Sequence, residues 1–270
     1  YVYLSRNWVL EILRNISHSV LGAQVLASGS ASFRCRSNCA PLRSVRPLHG
    51  HPGQTALKKM TVHEPHEIYV FGSIVRGEVH HSSDADILVL VHDATVQADY
   101  PDNWSVYSAS TIKEYFRAGR LFAWHLYLES KCIFTPFGQC FLQSLGRPSP
   151  YATARHDIAE LSSILHGSLS ENEEGTNSLV FEIGLIYTAT RDIAMSASWQ
   201  FLGTPSFSRE APYLLPFEFP LSKEIYHYAM LARHKSTRGY EVELDPDAIA
   251  NGINAARLRA WVGQVLEATK

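Results

Sequence analysis

Two short stretches of the chain hold the residue types that handle phosphate and metal. The first is Phe71-Gly72-Ser73-Ile74-Val75-Arg76-Gly77 and the second is Ser83-Asp84-Ala85-Asp86-Ile87. A glycine at a strand end lets the backbone turn tightly and keeps it close to any ligand. Ser73 offers a hydroxyl and a backbone N–H at the start of a helical turn, a place that receives phosphate well. Asp84 and Asp86 stand two apart, and at a strand start that spacing directs both carboxylates to one side. Two carboxylates so close repel each other unless a cation sits between them. Magnesium with phosphates is the natural occupant. Taken singly, Gly-Ser is also a common turn pair, and Asp-x-Asp at a strand start is also a capping turn. His80 and His81, between the two stretches, read as exposed loop residues.

The elements that must position these residues are legible around them. Ile68–Phe71 reads as a strand broken by Gly72-Ser73, with a loop or short helix through Arg76-Gly77. Ala85–Val91 is a continuously apolar strand, as a sheet interior requires. Trp104–Tyr107 is a third candidate strand, and Ser110 or Thr111 caps a helix to about Ala118. Leu121–Leu128 reads as helical and Lys131–Thr135 as a further strand. After Pro148 and Pro150 the pattern becomes almost wholly helical. Helices are expected over about 153–166 and 177–198, with a solvated link at Glu171–Gly175. The proline-rich segment 202–220 reads as a loop, and a third helix begins near Leu221. Asp245 caps a fourth, with Pro246 at its first position, running to about Ala268.

The expected fold class is therefore α+β, a small mixed sheet with flanking helices followed by a helical bundle. Residues 61–148 form the first domain and 149–270 the bundle. Residues 1–60 read as an appendage, with a helix over 7–26 and an irregular segment over 27–56 rich in Ser, Arg, Pro and Gly. The appendage carries eight Lys or Arg against the single acid Glu11. Such asymmetry can mark nucleic-acid or partner contact, but two oppositely charged parts of one chain can also meet each other. Apolar residues make up 46% and charged residues 19%, which predicts a packed core rather than disorder. The four cysteines, Cys35, Cys39, Cys132 and Cys140, lack zinc-finger spacing and read as free thiols in a reducing compartment. No apolar run is long enough for a membrane span. The expected location is cytoplasmic.

The Gly72-Ser73, Arg76-Gly77 and Asp84-x-Asp86 pattern resembles the signature of the polymerase-beta-like nucleotidyltransferase superfamily. Its flavour, with Ser83 before the first aspartate, is similar to the small prokaryotic-type branch that holds kanamycin and minimal nucleotidyltransferases. The resemblance implies that Asp84 and Asp86 hold two Mg²⁺ ions, and that Gly72, Ser73, Arg76 and Ser83 receive a nucleoside triphosphate, ATP in the first instance. It also implies a third acid on a later strand. No acid lies inside Trp104–Tyr107, so Asp102 at its start is the candidate, with Glu114 on the next helix as the fallback. The implied reaction is Mg²⁺-dependent transfer of a nucleoside monophosphate to a hydroxyl acceptor, a small molecule or a protein. Nucleic acid is possible but less favoured as acceptor, and a homodimer is possible. An inactive nucleotidyltransferase-like interaction module is the rival class.

The helical half resembles HEPN bundles in the stretch Gly184–Met195. Ribonuclease members of that group need a histidine after an Arg-polar pair. Arg191-Asp192 is followed by Ser196 and Ala197 where that histidine would stand, so no ribonuclease activity is expected.

Overall fold

A computed structural model describes residues 67–78, 85–91, 100–101, 104–136 and 138–270. The expected helix over 7–26, the segment 27–56, and His80, His81, Ser83, Asp84 and Asp102 lie outside these residues. Within them, four strands form one mixed sheet and ten helices surround or follow it, as the α+β reading requires.

The strands are β1 (Glu67–Phe71), β2 (Asp86–Val91), β3 (Ser105–Ser108) and β4 (Ser130–Phe134), in the order β3-β2-β1-β4. β1 runs antiparallel to β2 and to β4, while β2 and β3 are parallel. Five consecutive buried residues follow Asp86 in β2, because both faces of that strand are covered. On one face Tyr69, Phe71, Leu88 and Leu90 pack with Ile112, Phe116, Phe122 and Leu126. On the other, Ile87, Val89 and Val91 pack with Ile68, Val70, Trp104 and Val106.

Short helix α1 (Ser73–Arg76) leaves the end of β1, and α2 (Ala109–Arg117) and α3 (Leu121–Glu129) cover one face. The cap of α2 is Ser108 rather than Ser110 or Thr111. Its Oγ accepts the Thr111 N–H at 3.1 Å, so the last residue of β3 also opens the helix. Helix α3 serves two cores with different positions, while its Tyr127 and Leu128 stay exposed. Phe122, Ala123 and Leu126 face the sheet. Leu121 and Trp124 belong to the core of the helical half, where the Trp124 ring meets Trp199 at 4.4 Å.

After α4 (Phe141–Leu145) come α5 (Ala154–Glu174), α6 (Leu179–Phe201), α7 (Ala211–Leu214), α8 (Lys223–Arg238), α9 (Pro246–Asn254) and α10 (Leu258–Ala268). Helix α6 is the central rod of the bundle, buried from Ile183 to Ala197 on most of its positions. Two sequence expectations are corrected here. The acidic stretch at Glu171–Glu174 is the last turn of α5, not a link. Its buried Asn172 donates to Asn254 Oδ1 at 2.6 Å, which holds that turn against α9. The expected fourth helix is two. Asp245 caps α9 as expected, accepting from Ala248 N–H at 3.0 Å, but the chain breaks after Asn254. The break lets Leu258, Trp261, Val262 and Val265 enter the same core as Ile249 and Ile253. Among the described residues no helix is long and apolar enough to cross a membrane.

One buried carboxylate ties the sheet to its edge. Glu67 is 1% exposed and accepts from Thr135 Oγ1 at 2.9 Å, from Phe141 N–H at 2.8 Å and from the Tyr69 hydroxyl. A fully bonded buried carboxylate is costly to truncate, because its donors are left without acceptors. Glu67→Ala is expected to lower stability by about 3 kcal/mol, read as a shifted urea midpoint with an unchanged slope. An unshifted midpoint would show that these bonds contribute nothing net.

Candidate nucleotide site

The site begins where β1 ends. Gly72 has φ +73° and ψ −141°, a conformation that side-chain-bearing residues avoid. It also touches the next strand. In the β1–β2 register Phe71 pairs with Asp86, and a Cβ built on Gly72 would lie 2.3 Å from Asp86 Oδ2. The glycine is therefore required twice, by its backbone and by the carboxylate seated against it. Helix α1 follows for one turn, with Val75 N–H bonded to Gly72 carbonyl at 3.0 Å, and closes at Gly77 with φ +74°. The half-buried Ser73 stands at the first position of that turn.

Asp86 opens β2, anchored by the buried run behind it. Its Oδ1 is excluded from solvent and has no hydrogen-bond partner among the described residues. Burial raises its carboxyl above the ordinary aspartate range, and the charges of Arg191, Arg76 and Arg233 act against that rise. An anionic oxygen held dry and unbonded is suited to a cation. Of the two predicted metal-holding aspartates, Asp86 is the one among the described residues.

Arg76 is placed beside this corner and is itself held. Its Nε donates to Glu78 Oε2 at 2.9 Å, and its guanidinium also pairs with Glu129. Burial works against its charge, but Glu129 and Glu78 outweigh that and hold its pKa above the ordinary value. Glu129 also bonds His125 Nε2 at 2.9 Å. Burial raises the Glu129 carboxyl, yet His125 and Arg76 together bring it below the usual range. Burial pushes the pKa of His125 down, so the ring is neutral at pH 7. His125 is thus a buried histidine whose Nε2 meets Glu129, and it helps to orient the partner of Arg76.

The helical half closes over this corner. Phe207 stacks on His125 at 4.4 Å and 22°, and Ser208 Oγ donates to Glu78 Oε2 at 3.3 Å. Arg191, singled out in the sequence with Asp192, lies on α6 with its Nε 2.8 Å from Asp192 Oδ1. Sequence reasoning missed Phe207 and Ser208, since no motif links positions more than a hundred residues from Gly72. Glu129 had a signal, its i,i+4 spacing from His125. Glu114, the fallback third acid, is exposed and bonded to Arg117 at 2.6 and 2.8 Å.

Residues 55–135 match the family model described as polymerase beta, nucleotidyltransferase. The match ends one residue beyond β4, so it covers all four strands, and the bundle lies outside it. It supports the polymerase-beta-like superfamily for this part of the chain, and with it a general role in nucleotidyl transfer. No curated protein matches the chain.

Proposed function

We propose that the chain transfers a nucleoside monophosphate from a nucleoside triphosphate, ATP in the first instance, to a hydroxyl acceptor in a Mg²⁺-dependent reaction. The observation that carries this reading is the Asp86 carboxylate, dry and with Oδ1 unbonded, seated against the strand-end Gly72. Asp84 and Asp86 would hold the metal, which when bound supplies charge neutralisation on the phosphates and a more acidic acceptor hydroxyl.

The protein's own residues do the positioning. Gly72 keeps backbone rather than side chain beside the carboxylate, leaving room for a phosphate. Ser73 adds a hydroxyl at the turn, and Ser83 is a further candidate for the same phosphates. Arg76, fixed by Glu78 and Glu129, adds a positive charge whose direction is set before the nucleotide arrives. Asp102 is the proposed third carboxylate, the base that takes the proton of the acceptor hydroxyl. Phe207 and Ser208 bring the bundle over the corner and limit the access of water. In this proposal the sheet is of the small prokaryotic-type branch and the bundle is a HEPN-like part without ribonuclease activity, each on its own resemblance. Cytoplasmic location and free thiols complete this reading.

Calorimetry with ATP and with a non-hydrolysable analogue tests it. Wild-type protein is expected to bind both only with Mg²⁺ present, and Asp84→Asn/Asp86→Asn to lose that binding by at least a hundredfold, on the order of 3 kcal/mol. Equal, metal-independent binding by the double variant would sink the assignment.

A further inference from the structure

The seating of the bundle on the corner closes a ring of side chains around Arg76. Two carboxylate oxygens hold the guanidinium. Glu78 Oε2 accepts from Arg76 Nε at 2.9 Å, and Glu129 Oε2 accepts from Arg76 Nη1. Each of those oxygens has a second contact that leads to the bundle. Ser208 Oγ, on the segment between α6 and α7, donates to Glu78 Oε2 at 3.3 Å. His125 Nε2 lies 2.9 Å from Glu129 Oε2, and the His125 ring stacks on Phe207 at 4.4 Å. Arg76 therefore meets two consecutive residues of the bundle by two routes, one through a hydroxyl and one through a ring stack.

The bundle end of this ring is pinned on both sides. Ser206 N–H donates to Oγ of the buried Ser198 on α6 at 2.9 Å, and the Tyr226 hydroxyl of α8 donates to the Arg209 carbonyl at 3.1 Å. Phe207 and Ser208, between those two anchors, are buried. The other end lies at the reacting corner. Phe71 is the register partner of Asp86 on one side and of Ser130, the residue after Glu129, on the other. Neighbouring strands lie about 5 Å apart, so the Glu129 end of α3 stands roughly 10 Å across the sheet from Asp86. The Phe71 ring also meets His125 edge-on at 5.4 Å. A long arginine side chain has many rotamers, and fixing it before a ligand arrives removes that ordering cost from the binding step.

We propose that Phe207 and Ser208 are positioning residues for Arg76. Phe207 holds His125, and through it Glu129, while Ser208 holds Glu78, so the direction of the Arg76 guanidinium depends on the seating of the bundle. The consequence for nucleotide affinity rests on the transfer reading, in which Arg76 receives the triphosphate.

Two readouts on the full chain test this. The first needs no nucleotide. The Nε–H proton of Arg76 is followed by nuclear magnetic resonance and assigned by its loss in Arg76→Lys. In wild type it is expected as a distinct, slowly exchanging signal, and in Phe207→Ala and Ser208→Ala to exchange about tenfold faster, as a looser contact opens more often. Ser208→Thr, which keeps the hydroxyl, is expected to retain the wild-type signal. Ser208→Ala removes a single hydroxyl and carries the test where Phe207→Ala does not fold. A wild-type signal that exchanges like that of free arginine, or one unchanged in the alanine variants, would overturn the proposal. The second readout is calorimetry with Mg²⁺ and ATP. Each alanine substitution is expected to weaken ATP binding about tenfold in the wild-type chain but less than about twofold in Arg76→Gln, because both effects pass through one guanidinium. Equal losses in the two backgrounds would show packing alone and would equally overturn it. Wild-type protein that does not bind ATP would sink the transfer reading, and the resonance result then decides the positioning role by itself.

Discussion

Gly72→Ala is expected to abolish nucleotide binding and to destabilise the fold, whereas Gly77→Ala does neither to that extent. Both glycines have positive φ, +73° and +74°. A Cβ at Gly77 meets nothing within 4 Å, and its ψ of 15° lies in the ordinary left-handed well, so the substitution costs about 1 kcal/mol of conformational strain. At Gly72 the same methyl group lands 2.3 Å from Asp86 Oδ2, and the ψ of −141° lies outside that well. Strain of about 1–3 kcal/mol is then joined by displacement of the Asp86 carboxylate. Chemical denaturation of both variants, beside calorimetry with Mg²⁺ and ATP, reads the two effects separately. Equal stability losses, with ATP affinity retained in Gly72→Ala, would show that the contact between Gly72 and Asp86 does not shape the site.

Asp86→Asn is expected to move stability and activity in opposite directions. In metal-free protein Oδ1 of the half-buried Asp86 lacks a partner among the described residues, and desolvation drives its carboxyl pKa upward. An amide of the same shape removes that charge, so the apo protein should gain on the order of 1 kcal/mol. The sign follows from the direction of the shift. A carboxyl raised in the folded state loses stability as the pH climbs through the folded pKa, so the variant's advantage is full above that pKa and vanishes in acid. With Mg²⁺ and ATP the order should reverse, because wild type gains the free energy of ligand binding and the variant does not. Turnover should fall at least a hundredfold, about 3 kcal/mol of lost transition-state stabilisation. Thermal melts in chelator and in Mg²⁺ with ATP check the crossover. A variant less stable than wild type in chelator would mean that the carboxylate already has a stabilising partner.

The local chemistry of the corner was legible in the sequence because it is written in contiguous residues. A strand ended by Gly72-Ser73, a short turn to Gly77 and an apolar strand opened by Asp86 each follow from propensity and spacing over fewer than ten residues. Asp245-Pro246 marked the start of α9 for the same reason. Helix ends fared worse where packing overrides local preference. Glu171–Glu174 looks like a solvated link by composition, yet Asn172 has a partner in α9 that lies 82 residues away. The break after Asn254 carries no glycine or proline, and it follows from which apolar residues must reach one core.

The sequence by itself determined the fold class, the glycine turn and the placing of Asp86 at the start of a buried strand. Only the tertiary structure decided that Asp86 Oδ2 sits against Gly72, since that contact depends on antiparallel register between β1 and β2. It alone decided that Arg76 is held by Glu129 and that α3 faces two cores. It also brought Ser208 of the bundle to Glu78, 130 residues away along the chain. The physical reason is range. Propensity, capping and alternation act between near neighbours along the chain, whereas charges and packed side chains act between neighbours in space, and folding is what makes the second set known.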